Sequence, residues 1–392
     1  MHKVLVLDAD QRSALAIIRS LGRHGLTIVA GDHRAHTLGA ASKYVTTSVR
    51  YPNPATCPEQ FIREITAIAE HLRIDTLVPA TDLTTMLLVS QPDPSKFARL
   101  MAPRAASYEA LTDKARLITL ASELGVTAPV TRIVDSAAAA VDAAHEIGFP
   151  VVLKPARSRY LRGKEVRATR VEIASHPEGL ARILGAQGWL GDIPCLVQRF
   201  VPGHGAGIFA LYGSSKPIAW FAHRRIREKP PTGGVSVLCE SVPIDPTMQS
   251  AATKLLSAAK WSGVAMIEFR IAADGTPYLM EVNGRFWGSL QLAIDCGVDF
   301  PWLAHCVTQN LPVPEPKPYA VGKRLRWLLG DLDSLLISGR DRQSSPRDRW
   351  HSLAAFLRAF ADPACRQEIF RFSDPWPGMR EAAHWLRTSL QN

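Results

Sequence analysis

Over residues 1–110, short apolar runs alternate with stretches whose apolar positions recur every three to four residues, the pattern of a doubly wound α/β unit. Lys3 to Leu7 predicts a strand, Ala14 to His24 a helix, and Leu26 to Ala30 a second strand ending at Asp32. Cys57 to His71 predicts a further helix and Thr76 to Pro79 a further strand. No G-x-G-x-x-G follows the first strand, which disfavours a dinucleotide site that uses Asp32 for ribose.

A second unit, residues 111–312, opens at Thr112-Asp113-Lys114, where Thr112 or Asp113 can cap the helical pattern ARLITLASELG and Gly125 can stop it. The strand Val130 to Val134, an alanine-rich helix from Ser136 to Ile147 and the strand Pro150 to Pro155 follow. Another strand, Leu196 to Val201, stops at Pro202-Gly203. LPVPEPKP, residues 311–318, resists helix and sheet and reads as a linker, which leaves 313–392 as a C-terminal segment expected to pack helices over the main body. The fold class is α/β.

Composition narrows the setting more than the chemistry. With 46% hydrophobic and 21% charged residues, the chain is ordinary globular rather than disordered or membrane-embedded. The apolar run before Asp8 and Asp10 is too short for a signal peptide, and the six cysteines show no Cys-x-x-Cys spacing, so a reducing cytoplasm is expected. The net charge of +10 favours anionic partners without choosing among nucleotides, acidic metabolites, nucleic acid and membrane, and a merely basic surface fits equally.

The richest stretch is VAMIEFRIAADGTPYLMEVNGRFWGS, in which Asp274-Gly275 is a preferred two-residue hairpin turn between strand-like runs. That turn sets Arg270 opposite Leu279, Glu268 opposite Glu281 and Met266 opposite Asn283, and puts Glu268, Glu281 and Asn283 on one face. Opposed carboxylates repel unless a cation or proton lies between them, and a hard cation with oxygen ligands, magnesium above all, resolves the conflict. An exposed hairpin with two solvated glutamates is the alternative, and Pro277 points to an edge position.

Cationic side chains are spread through the same region. Lys154 ends the buried run PVVLKP, where a lysine can reach a phosphate or simply snorkel to water. Lys114 sits in a helix first turn. Between Ala156 and Arg170 lie Arg157, Arg159, Arg162, Lys164, Arg167 and Arg170 around Gly163, a segment able to close over a triphosphate, to form a nucleic-acid patch or to stay a solvated loop. HRRIREKPPTGGVS, residues 223–236, reads as a basic loop, either an active-site lid or a surface connection.

In this order the stretches resemble the ATP-grasp superfamily over residues 1–312, which implies a two-lobed ATP-grasp domain using ATP and Mg2+. By that resemblance Lys114 and Lys154 contact the phosphates and the loop from Ser158 to Lys164 closes over them. Gln198 meets the adenine amino group, with the Arg199 carbonyl and the Val201 amide completing the base contact. Glu268, Glu281 and Asn283 hold magnesium, and Arg285, with Lys154, carries the chemistry. Arg224, Arg225 and Arg285 orient the substrate carboxylate. The closer likeness is to predicted ATP-dependent carboligases, the carboxylate–amine ligases that include D-aspartate ligases, through H-R-R-x-R-E and E-x-N-x-R-F-W-G-S. Here His204 stands where such enzymes often have a ribose-binding glutamate, and Gly284 replaces a frequent proline. The implied reaction is amide formation through an acyl phosphate, releasing ADP and phosphate. Carboxylation through carboxyphosphate and ATP binding without turnover are the alternatives. The expected partners are a small-molecule carboxylate and amine, with neither nucleic acid nor membrane, and a homodimer is compatible.

Overall fold

The computed structural model describes residues 2–93, 98–163, 165–186, 188, 190–231, 234–315, 317–340 and 345–389. Its N-terminal unit is a five-stranded parallel sheet in the order Val45–Arg50, Thr27–Asp32, Lys3–Val6, Thr76–Val78, Arg99–Leu100. The central strand is apolar on both faces because helices cover both, which is why it reads as a continuous run rather than an alternation. Asp8, just past that strand, accepts from the Ala80 backbone N–H at 3.1 Å and from the Thr84 hydroxyl at 2.5 Å. Those bonds fix the start of the Asp82–Val89 helix, whose first residue enters the candidate site below.

A small lobe follows, an antiparallel four-stranded sheet in the order Glu172–Ala174, Val151–Pro155, Cys195–Arg199, Thr131–Val134. Two helices, Ala137–Ile147 and Pro177–Ala186, bury one face through Val151, Leu153, Cys195 and Val197. Alternation then leaves Val152, Lys154, Leu196 and Gln198 on the helix-free face. The predicted Ser136 start is present: its side chain accepts from the Ala139 N–H and caps the first of those helices.

The largest element is a seven-stranded sheet in the order Pro277–Asn283, Gly263–Ile271, His204–Gly213, Lys216–Lys229, Val235–Ser241, Arg324–Arg326, Cys365–Gln367. Phe209, Phe221, Met266 and Trp287 pack one face against Val4, Ile17 and Ile18 of the N-terminal unit. Ile208, Ala265, Ile267 and Leu279 pack the other against the Pro246–Ala258 and Lys114–Glu123 helices.

Two expectations change here. His223 to Lys229 is not a loop but the end of a 14-residue strand. Its apolar alternation is hidden because the inward positions are arginines with carboxylate partners. Arg225 pairs with Glu268 and Arg227 with Asp331. The chain after residue 312, expected only as helices packed over the main body, is moreover built into the sheet through Arg324–Arg326 and Cys365–Gln367. Among the described residues no helix is long and apolar enough to cross a membrane.

That C-terminal portion also clasps the N-terminal unit through a buried charge. Arg19, 4% exposed, donates to the Asp374 carboxylate at 2.8 Å and to the carbonyls of Glu368 and Ile369 at 3.1 and 2.9 Å. Asp374 also accepts from the Ser42 hydroxyl and the Lys43 N–H. Removing one member of such a pair strands the other in a low dielectric. Asp374→Ala is therefore expected to destabilise the fold by about 3–5 kcal/mol, read as a clear fall in the thermal unfolding midpoint; an unchanged midpoint overturns the clasp.

Candidate active site

The carboxylate hairpin forms, with a different turn from the one expected. Ala272 and Thr276 close a three-residue loop, Ala272 N–H donating to the Thr276 carbonyl at 3.0 Å and Gly275 N–H to the Ala272 carbonyl at 3.0 Å. Gly275 takes φ +86°, the left-handed conformation that this turn requires of its last residue. The turn shifts the near pairs by one, so Arg270 faces Tyr278 rather than Leu279. A bulge at Met280 then restores the predicted register, and Glu268 faces Glu281 and Met266 faces Asn283. Pro277 opens the edge strand of the sheet.

Compensating groups converge on the opposed carboxylates. The Asn283 Nδ2 donates to Glu268 at 3.0 Å and to Glu281 at 3.3 Å, lying between them. Arg225 pairs with Glu268 and also with Glu228 at 2.9 Å. To reach Glu268 its side chain crosses the neighbouring strand, where a Cβ on Gly205 would lie 3.0 Å from the Arg225 Cδ. Only glycine leaves that path open. Lys114, buried, stands 3.5 Å from Glu281 and donates to the Ser158 hydroxyl at 3.0 Å. Its backbone N–H donates to the Ala156 carbonyl, and Asp113, the helix cap, pairs with Arg157 at 2.9 Å. The two sequence stretches around Lys114 and Ser158 are thus clipped together.

Lys154 approaches from the helix-free face of the small lobe and meets the bulge, its Nζ 3.7 Å from the Met280 sulfur. Burial lowers its pKa to about 8, with Glu281 opposing and Lys114 reinforcing the fall. The two glutamates part company. Burial raises the Glu268 carboxyl, Arg225 resists, and repulsion from Glu281 adds to the rise. Burial works against the Glu281 charge as well, but Lys114 and Lys154 outweigh it and bring its carboxyl down to about 2.

Arg285 is held by the Asp82 carboxylate at 2.9 Å, the Asn283 Oδ1 at 3.1 Å and the Phe286 carbonyl at 2.9 Å. Asp82 was absent from the sequence reading. Its signal is its place: the helix start after a parallel strand, on the carboxyl side where open α/β sheets present ligand groups. Glu228 and Met280, which hold Arg225 and receive Lys154, also escaped the sequence reading because each acts through a partner distant in sequence.

The remaining residues are dispersed. Gln198 shares the helix-free face with Lys154, and its Nε2 donates to the Thr131 hydroxyl at 2.9 Å. Arg199 ends that strand, and the Val201 carbonyl accepts from Arg270 at 2.9 Å. His204 opens the next strand, exposed, and lines a different concavity together with Arg224 and Arg227. Arg224 is not brought to the carboxylates. Next to Arg225 on a strand it points to the opposite face, where it pairs with Glu240 beside Arg324. The basic segment after Ala156 forms a hairpin, Arg159–Arg162 with Glu165–Ala168, and Val166 N–H donates to the Ala55 carbonyl of the N-terminal unit at 2.8 Å. Lys164 lies outside the described residues.

The donor set suits a hard cation: two carboxylates and one amide on a single face, with the Asn283 amide donor now lying between the carboxylates. Turning that amide about its terminal bond would present Oδ1 instead of Nδ2, at the cost of the bond Oδ1 accepts from Arg285. A family model described as ATP-grasp in the biosynthetic pathway with Ter operon matches residues 194–329, which include the whole hairpin. Solved structures match the architecture over most of its length. This chain has the ATP-grasp fold. One similar structure is biotin carboxylase from Campylobacter jejuni in complex with β-γ-ATP, with a TM-score of 0.65 and 17% identity over 82% of this chain and 74% of that one. Another is L-amino acid ligase from Bacillus licheniformis, at 0.62 and 15% over 79% and 74%. N5-carboxyaminoimidazole synthetase from Staphylococcus aureus complexed with ADP matches at 0.65 and 12%, over 88% and 86%. No curated protein sequence matches the chain.

Gly284 sits beside these residues for a steric reason. A Cβ there would lie 2.9 Å from both the Trp261 and Tyr108 rings, which are buried. Gly284→Ala is expected to cost about 1–3 kcal/mol by overpacking, seen as a lowered thermal midpoint; a midpoint equal to that of the parent protein counts against the close packing of Arg285's strand end.

Proposed function

We propose that the protein is an ATP- and magnesium-dependent ligase that phosphorylates a carboxylate and transfers the acyl group to an amine. The observation that carries this reading is the face-to-face pair Glu268 and Glu281 with Lys114 and Lys154 above it. Such a face is costly as mere surface and useful where polyphosphate charge must be neutralised.

In this reading a carboxylate oxygen of the substrate attacks the γ-phosphorus of ATP, the bond to the bridging oxygen breaks, and ADP leaves with the electron pair. The amine nitrogen then attacks the acyl carbon, phosphate leaves, and the amine's extra proton passes to solvent or to phosphate. Lys114, steadied by Ser158, and Lys154 hold the phosphoryl oxygens in line. Glu268, Glu281 and Asn283 would hold magnesium, which supplies neutralisation of the phosphate oxygens when bound. Gln198, with its Nε2 given to Thr131, keeps its carbonyl oxygen for a base amino group, and the backbone from Arg199 to Val201 lies alongside. Arg285 and Arg225, both locked by carboxylates, shape the charge around the reacting group. Arg224 drops out of the substrate set, since it lies on the other face of the sheet.

A second reading, carboxylation of an acceptor through carboxyphosphate, shares the first step with bicarbonate as the carboxylate. It is favoured by the likeness to a biotin carboxylase and to an N5-carboxyaminoimidazole synthetase. ADP release with amine and carboxylate mixtures, and separately with bicarbonate, decides between them.

Glu281→Gln is expected to abolish ADP release in every mixture while leaving the thermal midpoint within a few degrees; unchanged turnover sinks the assignment of the metal face. A second expectation concerns pH. Lys154 is charged below about 8 in the free protein and loses its proton above it, with Glu281, Glu268, Lys114 and Arg270 facing it. ADP affinity measured without added metal should therefore weaken as pH rises through 8, and Lys154→Gln should bind weakly with little dependence on pH over that window. A parent profile that is flat from pH 7 to about 9 removes Lys154 from the phosphate site.

A further inference from the structure

A cavity of about 550 Å3 runs from Lys114, Glu281 and Asn283 toward the N-terminal unit. The N-terminal unit lines it with Ile62, Met86 and Leu87 together with Glu59, Ser90 and Gln91, and the basic hairpin adds Tyr160 and Leu161. Leu161 is 60% exposed on a hairpin whose other apolar side chains, Tyr160 and Val166, are buried, and Met86 and Leu87 are only half buried. Apolar groups that surround one concavity instead of packing on each other are what a ligand's apolar body covers.

The charges of the lining are largely matched already. Asp113 pairs with Arg157, Glu109 with Arg116, Asp82 with Arg285, and Lys114 with Glu281. What remains is Arg159 and Glu59, one of each sign. For a second carboxylate the lining therefore offers only Arg159, offset by Glu59 of opposite sign, while its phosphate end offers Lys114 for the first. A distal charge laid against Met86 and Leu87 would be desolvated without a partner.

Resting on the ligase reading above, we infer that the carboxylate substrate is a monocarboxylic acid with an apolar body the size of a phenyl ring or a branched aliphatic chain. Its carboxylate lies at the Lys114 and Asn283 end and its body against Met86, Leu87 and Leu161. A dicarboxylate such as aspartate, and bicarbonate, which has no body to cover these walls, are disfavoured.

Calorimetric titration of the full chain in Mg-ADP with 3-phenylpropionate and with succinate tests this without requiring turnover. Phenylpropionate should bind and succinate should bind at least ~10-fold more weakly, and Met86→Lys should weaken phenylpropionate ~10-fold while leaving ADP affinity unchanged. Leu161→Asn, on the exposed hairpin where folding is not at stake, should weaken it in the same direction. Equal binding of succinate, no binding of phenylpropionate, or indifference to both substitutions overturns the inference. The ligase reading fails by a different measurement, the survival of ADP release in Glu281→Gln, so the two outcomes are separable.

Discussion

Two carboxylates facing each other across a hairpin are a destabilising arrangement, and much of the candidate site is the set of groups that make it tolerable. Arg225 comes from the strand beyond the neighbouring one, Lys154 from the small lobe, Lys114 from the helix that joins the units, and Asn283 from the hairpin itself. Because the compensating charges come from four places in the chain, the site exists only when both lobes and the N-terminal unit are assembled. The same charges split the pair. Glu281 faces both lysines and stays ionised, whereas burial and repulsion raise Glu268, leaving one carboxylate fixed and its neighbour responsive to what binds.

Backbone detail decides whether those charges meet. The turn with Gly275 in the left-handed region moves the hairpin pairs by one residue, and the Met280 bulge moves them back just before Glu281. Had the shift persisted, Glu281 would have pointed away from Glu268, since one residue of slip turns every side chain to the other face. The bulge also aims Met280 at Lys154, so the correction of register and the contact between lobes are one feature. Gly205 does similar service for Arg225 by leaving room above its strand.

These details explain what could be read from the sequence and what could not. The parallel sheet was legible because buried strands are continuous apolar runs, and the helix starts at Asp113 and Ser136 because capping is a local rule. Glu268 opposite Glu281 was legible too, although by way of a turn that does not form: the longer, three-residue loop and the bulge cancel. The Lys216–Lys229 strand was missed at its basic end because its pattern is completed by Glu240, Glu268 and Asp331, each far away in sequence. Arg224 and Arg225 look interchangeable in sequence and lie on opposite faces of the sheet. Asp82 carries a local signal in its helix start, but the group it holds, Arg285, lies more than 200 residues later.

The balance of charge carries a final consequence for the proposed chemistry. Lys114 pairs with Glu281, Arg225 with both Glu268 and Glu228, and Arg285 with Asp82, and Lys154 brings the cations near these four carboxylates to four. Such a cleft compensates a bare nucleotide polyphosphate only in part, through Lys114 and Lys154, and leaves the rest of its charge to be desolvated without a partner. Entry together with two divalent cations preserves neutrality, because the ionised triphosphate and the cations cancel. In the proposed chemistry the arrangement would thus favour nucleotide together with metal, with Glu268, Glu281 and Asn283 the residues that would hold the metal and Lys114 and Lys154 those that would meet phosphate.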